Sequence, residues 1–400
     1  MRGLRVRDAG TPVTQAELAF DLVYVFAVTQ LSSLVLRDLS LDDALQAAFL
    51  LLVVWWAWIG TTWMANWFDP SSPVVLAVLS AAMFASLLMA AALPEAFRQH
   101  GMLFAASYVA LQVGRNAAAV LLLPRGHSLR DVFERLAMWS VVSAAVWLAG
   151  GAVTGDQRVV LWLAALAIEL AAPAAGYWLP NRGRTATTDY DIEGGHFAER
   201  CQLFVLIALG ETIVVIGATS ASAGLTLGVV LRLVVAFLET AALWWIYFRG
   251  HAERSREVMA KADNPGRLAR DAYTYGHLPI LAGIIATAVG LNLLIAAPHQ
   301  PLNAVAIAMV LGGPALYLLG ESHYRWRISG RHNLKGLTVA GAILVLAPIG
   351  HVLGTVWLSV LAASLLILLA VWQQHDTPRL AAANSGPASA NADGECLPCV

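Results

Sequence analysis

The sequence predicts an all-α, polytopic membrane protein of about twelve transmembrane helices. Hydrophobic residues make up 58% of the 400 residues and charged residues only 13%, which lies outside the range of soluble globular domains. Apolar runs of roughly 18 to 23 residues recur along the chain, and a helix of that length crosses the hydrocarbon core of a bilayer. The runs lack the two-residue alternation of a membrane barrel, so we interpret them as helices.

Charged residues, prolines and glycines delimit these runs and place the predicted spans. The spans are 18–36, 44–66, 73–93, 101–123, 133–153, 159–179, 200–221, 227–248, 277–296, 302–320, 336–353 and 355–373. Three arginines precede the first span, as in a secretory signal. Because Asp21 lies inside that span and the apolar run continues to Leu36, we interpret it as a retained helix.

Lys and Arg are distributed unevenly between the two sides of the spans. With the N-terminus in the cytoplasm, twenty of the 25 fall on the cytoplasmic side, and only Arg37, Arg98 and Arg158 fall on the other. Loops rich in Lys and Arg stay in the cytoplasm. We therefore predict a multi-pass protein of the bacterial cytoplasmic (inner) membrane with cytoplasmic N- and C-termini.

Two features indicate an internal repeat. Residues 20–31 align with 201–212, and the pair Trp55-Trp56 has a counterpart in Trp244-Trp245 at a similar distance. Both halves begin on the same side, so the repeat is parallel. The predicted organisation is a cytoplasmic segment 1–17, a six-helix half 18–180, a linker loop 181–199, a second six-helix half 200–374 and a disordered cytoplasmic tail 375–400.

Ionisable residues inside the spans are the candidates for binding an ion or a substrate, because each is costly in lipid. The informative ones are Asp21, Arg115, Glu169, Glu211 and Glu239. Glu169 and Glu211 lie midway along their spans, where a carboxylate carries a proton or pairs with a cation. Arg115 must find a carboxylate, a group of carbonyls or an anionic substrate, and we interpret it as the counter-ion of one of these glutamates. Gly210 and Gly217 mark a surface that another helix can approach closely.

Five further residues are candidates for gating or structural roles: Glu17, Gln30, Trp55, Trp56 and His277. Glu17 lies four residues before Asp21 on one helix face, so Asp21 is either a capping carboxylate or part of a gate or ion site. The tryptophan pair lies too deep for an interfacial belt and is more typical of packing than of a cation cage. His277 opens a span, where a lone His is usually a hydrogen-bonded group.

Several function classes are disfavoured. The sequence has no Walker loop, no Gly-x-Ser-x-Gly elbow, no dinucleotide fingerprint and no cluster at metal-ligand spacing, so we predict no cofactor and no metal and do not favour an enzyme. The formal net charge of -1 gives no basic field for nucleic acid. The pair Cys396 and Cys399 stands alone in the tail, and we interpret it as incidental.

Several segments together resemble the bacterial low temperature requirement A protein family. They are Glu17-Leu-Ala-Phe20-Asp21 and Gln30 within 17–31, Trp55-Trp56-Ala-Trp58 within 55–66, Ala208-Leu-Gly210-Glu211 within 199–214, His277-Leu-Pro-Ile280, and Gly312-Gly-Pro-Ala-Leu-Tyr317 before Arg325-Trp-Arg327. The matches extend from residue 17 to about 335. The resemblance implies a multi-spanning membrane protein, and the family's name reports a cold-growth phenotype rather than a mechanism.

The leading functional hypothesis is a transporter or channel for an ion or small solute, with Glu211 and Glu169 binding or relaying a cation or proton near the bilayer midplane. One alternative is an intramembrane enzyme that acts on a lipid or isoprenoid. Another is a non-catalytic membrane scaffold. The expected partners are the lipid bilayer, a small ion or solute and a second copy of the chain in a homo-oligomer, with no nucleic acid.

Overall fold

The computed structural model describes residues 4–5, 12–186, 188, 190, 192–249 and 252–374. The predicted all-α class is confirmed, since these residues form helices and no β-strand. The helices are α1 Gln15–Asp38, α2 Leu41–Trp67, α3 Pro73–Ala92, α4 Gly101–Leu122, α5 Ser128–Ala152, α6 Asp156–Ala174, α7 Gly194–Ala223, α8 Leu227–Phe248, α9 Ala252–Ala260, α10 Pro265–Leu268, α11 Leu278–Ala296, α12 Ala304–Ile307, α13 Gly313–Ser329, α14 Leu334–Val345 and α15 Gly350–Gln374. The predicted tail 375–400, with its two cysteines, lies outside the described residues.

Ten segments of the described chain are long and apolar enough to cross a membrane, fewer than the twelve predicted. The difference has two sources. One is α4, a 22-residue helix absent from the ten, whose apolar run is interrupted by Gln112, Arg115 and Asn116. The other is the stretch Leu334–Gln374, which counts as one segment of 41 residues although it contains both α14 and α15.

The outer surface of the bundle is apolar, as a lipid-facing surface must be. Along α8, Leu231, Val234 and Phe237 are 59%, 48% and 52% exposed. In water such a stripe would be unfavourable, at about 25 cal/mol per Å² of apolar surface. The exposed apolar stripe and the segment lengths together support a multi-pass membrane protein.

Successive long helices run up and down, and side-chain contacts identify the two ends of the bundle. At the end that holds the start of α1, called the inner end, Nδ2 of Asn66 at the end of α2 donates to the backbone carbonyl of Glu193, just before α7, at 2.9 Å. At the outer end, Nδ2 of Asn303 donates to the carbonyl of Leu39, also at 2.9 Å. The alternation keeps the connecting loops together at two opposite faces.

The closest helix contact in the second half lies between α11 and α13, where small residues let the backbones approach. A Cβ atom built on Gly283 would lie 2.4 Å from the amide nitrogen of Tyr317, and one on Gly313 would lie 2.5 Å from that of Thr287. Glycine is required at such positions. The prediction for Gly210 and Gly217 was wrong, because no atom lies within 4 Å of a Cβ built on either.

Helix α1 begins with a capping box that also shapes its charged face. The Oγ1 of Thr14 accepts from the amide of Glu17, and Oε2 of Glu17 accepts from the amide of Thr14 at 2.8 Å. The cap fixes the first turn of α1 and turns the Glu17 carboxylate into the bundle. Beyond this first turn, α1 packs against α2, α3, α7 and α11. Helix α1 is therefore surrounded by helices of both predicted halves.

Candidate functional site

A half-enclosed pocket lies between α2, α4, α5 and α6 at the inner end of the bundle. Residues of the two inner connections, among them Tyr177, Tyr190 and Gly266, complete its lining. Its cavity volume is about 100 Å³, which is room for a small ion with a few waters or for a small organic group. Its floor is polar and its walls are aromatic.

Seven aromatic side chains form most of the walls: Trp56, Trp63, Trp67, Phe133, Trp139, Tyr177 and Tyr190. Trp63 is held by its neighbours, since its ring lies 5.8 Å from that of Tyr190 and its Nε1 donates to Oγ1 of Thr274 at 3.1 Å. Rings of this kind present rigid apolar faces to a ligand at little cost in side-chain entropy.

Glu169 lies on the floor of the pocket, and three donors hold its carboxylate. Oε1 accepts from the hydroxyl of Ser143 at 2.8 Å and from Nε1 of Trp147 at 3.0 Å, and Oε2 accepts from the hydroxyl of Tyr108. The side chain is 7% exposed. These bonds bind α6 to α4 and α5 and offset the loss of hydration of the carboxylate.

Arg115 lies on the same floor, but the predicted direct ion pair with a glutamate is not formed with any described carboxylate. Its guanidinium donates to the carbonyl of Ala57 at 3.2 Å, to the hydroxyl of Thr61 at 3.3 Å, and to the side-chain oxygens of Gln112 and Asn116. All four acceptors are neutral, so the positive charge is solvated by oxygens without being neutralised by direct contact.

A hydrogen-bonded chain nevertheless connects Arg115 to Glu169. Arg115 donates to Oε1 of Gln112, Nε2 of Gln112 donates to the hydroxyl of Tyr108 at 2.8 Å, and Tyr108 donates to Glu169. Every donor points from the arginine toward the carboxylate. Such a chain polarises its members in one direction, so that a change of charge at either end is felt at the other.

Gly60 on α2 allows the guanidinium to lie where it does. A Cβ atom on Gly60 would be 2.6 Å from Nη2 and 2.7 Å from Nη1 of Arg115. Because residue 60 has no side chain, the guanidinium rests against the backbone of α2 and reaches the carbonyl of Ala57. Gly60 was not among the predicted site residues.

A second group of charged side chains lies at the inner end between α1 and α7. Nη2 of Arg200 lies 2.5 Å from Oδ1 of Asp21, which also accepts from Nε1 of Trp58 at 2.7 Å. Glu17 lies 3.1 Å from the ring of His196 and 3.2 Å from the guanidinium of Arg5. The predicted pair Glu17 and Asp21 is therefore close to two buried arginines, Arg5 and Arg200, which were not among the predicted site residues.

The remaining carboxylates lie away from the pocket. Oε1 of Glu211 on α7 accepts from the hydroxyl of Thr29 on α1 at 2.6 Å, and Gln30 is half-buried beside that residue. Glu239 on α8 is 1% exposed, and its Oε2 has no hydrogen-bond partner within the described part of the chain. The structure thus brings Glu169, Arg115 and Trp56 together but not Glu211, Glu239 or Asp21.

Two of the residues predicted to be structural are held by definite bonds. Nε1 of Trp55 donates to the carbonyl of Thr274 at 2.7 Å, and its ring stacks on that of Trp58. His277 is buried, with Nε2 2.7 Å from the hydroxyl of Tyr247 and Nδ1 3.2 Å from the carbonyl of Ala272. Both contacts fit the packing and hydrogen-bonding interpretations.

Sequence reasoning missed Tyr108 as a site residue, although a signal was present. Tyr108, Gln112 and Arg115 are spaced by four and three residues, which places them on one face of α4. The partners of Glu169 on α5, Ser143 and Trp147, are likewise four residues apart. As for a metal, His, Cys, Asp and Glu side chains in the described chain form no group of three that could hold one.

Comparisons with known proteins show which sequences the chain resembles. A family model for the bacterial low temperature requirement A protein matches residues 12–371. An uncharacterized protein of Rhizobium meliloti (strain 1021) is 38% identical over 377 residues, which covers 92% of this chain and 91% of that protein. No solved structure matches the chain.

Proposed function

The chain belongs to the bacterial low temperature requirement A protein family, and from that premise we propose that it is a membrane transporter of a small solute. The observation that carries the proposal is the pocket whose floor holds Arg115 and Glu169, joined by Gln112 and Tyr108. Charged residues inside membrane-spanning bundles mark substrate or ion pathways. In this pocket they lie where a solute can reach them from the inner end.

The same proposal includes twelve crossings in two six-helix halves, with both termini in the cytoplasm of the bacterial inner membrane. Support for a separate α14 and α15 comes from Lys335, whose Nζ donates to the carbonyl of Trp372 at 3.1 Å. The two ends of the segment 334–374 therefore meet at the inner end, and the chain reverses between them. The paired tryptophans do not support the repeat, because Trp55 is buried whereas its counterpart Trp244 is 41% exposed. The support for two halves therefore rests on the order of the helices alone.

Glu211 and Glu239 keep their proposed role as further proton or cation sites. Each lies 12 residues from the turn that joins α7 to α8, as the positions 211 to 223 and 227 to 239 show. At 1.5 Å per residue, both carboxylates are about 18 Å from that turn, at similar depth on adjacent helices. A homo-oligomer also remains a proposal.

A transporter must expose its pocket to both sides of the membrane in turn, which gives a test that needs no knowledge of the solute. In the full chain with Cys201→Ala, Cys396→Ser and Cys399→Ser, a single cysteine replaces Ser140, which lines the pocket. A membrane-impermeant thiol reagent is then added to either side of oriented vesicles. We expect Ser140→Cys to be labelled from both sides.

Two exposed positions calibrate the experiment. Ser71→Cys lies in the inner connection between α2 and α3, and Thr154→Cys lies in the outer connection between α5 and α6. Each should be labelled from one side only, and from opposite sides. Labelling of Ser140→Cys from the side of Ser71 alone would reject alternating access and favour an enzyme or a scaffold.

A further inference from the structure

We propose that the ligand of this pocket is a small organic anion, a monocarboxylate on a flat apolar body of about one ring, with Arg115 as the residue that holds the carboxylate. The inference rests on the proposed function and specifies its substrate class. Three observations support it: the charged groups that face the pocket, the hydrogen-bond partners that each of them already has, and the shape of the walls.

Three side chains of Arg or Glu line the pocket: the cations Arg115 and Arg270 and the carboxylate Glu169. Arg270 already has a carboxylate partner, because its Nε donates to Oδ1 of Asp271 at 2.8 Å. Since Asp271 also contacts Arg267 and Arg327, this part of the pocket keeps a positive charge, which favours an anionic ligand. Glu169 already accepts three hydrogen bonds from Tyr108, Ser143 and Trp147, so three of its roughly four lone-pair positions are filled from within the protein. Little of this carboxylate remains to bind a cationic ligand.

Arg115 is the group that a ligand can complete. Its four acceptors are neutral, it forms no salt bridge with a described carboxylate, and it is only 6% exposed. A guanidinium removed from water gains most from a carboxylate, which accepts charge-assisted hydrogen bonds. The same positive charge repels a cation that the aromatic walls would otherwise attract.

The walls and the floor favour a monocarboxylate over other anions. Four of the five guanidinium N–H groups already face neutral oxygens of the protein, so the one N–H left on Nη2 suits a carboxylate oxygen rather than a phosphate, which needs more donors. The ring-lined walls, Trp56, Trp63 and Trp139 among them, fit a flat apolar body rather than a hydrated inorganic ion. Gly60 completes the site by letting the guanidinium settle against α2.

Calorimetry on the purified full chain in detergent micelles can test this with three probes of equal size. They are benzoate, neutral benzamide and cationic benzylammonium. We expect benzoate to bind at least about tenfold more tightly than benzamide, as a charge-assisted pair predicts, and benzylammonium to bind more weakly than either. Benzoate binding no tighter than benzamide, or a preference for benzylammonium, would overturn the proposal.

Variants assign the effect to Arg115. Arg115→Gln should lower benzoate affinity at least about tenfold, to the level of benzamide. Gly60→Ala should do the same by displacing the guanidinium, and it provides a second route if Arg115→Gln does not fold. The matched controls Gly114→Ala, with no atom within 4 Å, and Arg256→Gln, half-exposed outside the pocket, should leave benzoate affinity unchanged. Unchanged benzoate affinity in folded Arg115→Gln or Gly60→Ala overturns the assignment.

Two further probes and the labelling experiment separate the remaining outcomes. Octanoate carries the same carboxylate on a chain, and inorganic phosphate carries an anion without an apolar body. If either binds more tightly than benzoate, the ring-sized monocarboxylate is excluded. If Ser140→Cys is labelled from both sides but benzoate is not preferred, the transporter proposal is retained and the anionic ligand is rejected. If benzoate is preferred but Ser140→Cys is labelled from one side only, the anionic ligand is retained and the transporter proposal is rejected.

Discussion

Nη2 of Arg200 on α7 lies 2.5 Å from Oδ1 of Asp21 on α1, and neither side chain is exposed. The pair joins the first helices of the two predicted halves. Nη1 of Arg200 also lies 3.4 Å from Oε1 of Glu17, so one guanidinium faces two carboxylates. The contact is charged, buried and shared between distant parts of the chain, which makes it a sensitive point for stability.

Loss of Arg200 should therefore destabilise the bundle strongly. Arg200→Gln leaves Asp21 and Glu17 buried with less compensation, at an expected cost of about 3 to 5 kcal/mol. The double variant Asp21→Asn with Arg200→Gln should recover part of that loss. Thermal unfolding in detergent measures both, with Arg256→Gln as the control, because a half-exposed arginine 3.7 Å from Glu199 should change stability by about 1 kcal/mol or less. Equal effects of Arg200→Gln and Arg256→Gln would show that the buried pair does not hold α1 to α7.

The contact between α11 and α13 should not tolerate a methyl group. Gly283→Ala would place Cβ 2.4 Å from the backbone nitrogen of Tyr317, which only a shift of one helix can relieve. We expect a loss of about 1 to 3 kcal/mol or a failure to fold. Gly210→Ala is the matched control, since nothing lies within 4 Å and alanine favours a helix by up to about 1 kcal/mol. Comparable stability of the two variants would contradict the close approach.

Replacement of Glu239 by an apolar residue should leave stability unchanged or raise it. The buried Oε2 has no partner within the described residues, and an unsatisfied buried polar atom costs about 1 to 3 kcal/mol. Glu239→Leu removes that cost. Glu169→Leu should do the opposite, because it leaves the donors of Tyr108, Ser143 and Trp147 without their acceptor. A thermal shift downward in Glu239→Leu as large as that of Glu169→Leu would point to a partner, such as a bound cation, at Glu239.

The segment 334–374 should cross the membrane twice. Val352 is 81% exposed in the first turn of α15, just before Gly354, whose φ of 73° breaks that helix and redirects the chain. A cysteine at Val352 in the cysteine-free chain should be labelled from the same side as Thr154→Cys. Labelling from the side of Ser71→Cys would restrict the segment to one crossing and the protein to fewer than twelve.

The sequence by itself determined the all-α membrane class, because run length and composition fix what a bilayer can accept and need no knowledge of neighbours. It also determined the family, through side chains spread from residue 17 to about 335. It named Arg115 and Glu169, since the cost of a charge in lipid depends on the span alone.

The tertiary structure alone decided which charges meet. Arg115 faces neutral oxygens because Gly60 opens the backbone of α2 to it, and Asp21 meets Arg200 from 179 positions further along the chain. Spacing along one helix predicts which residues share a face but not which helix lies opposite. The close contact likewise formed at Gly283 rather than at Gly210, because helix packing depends on both surfaces at once and one sequence segment describes only its own.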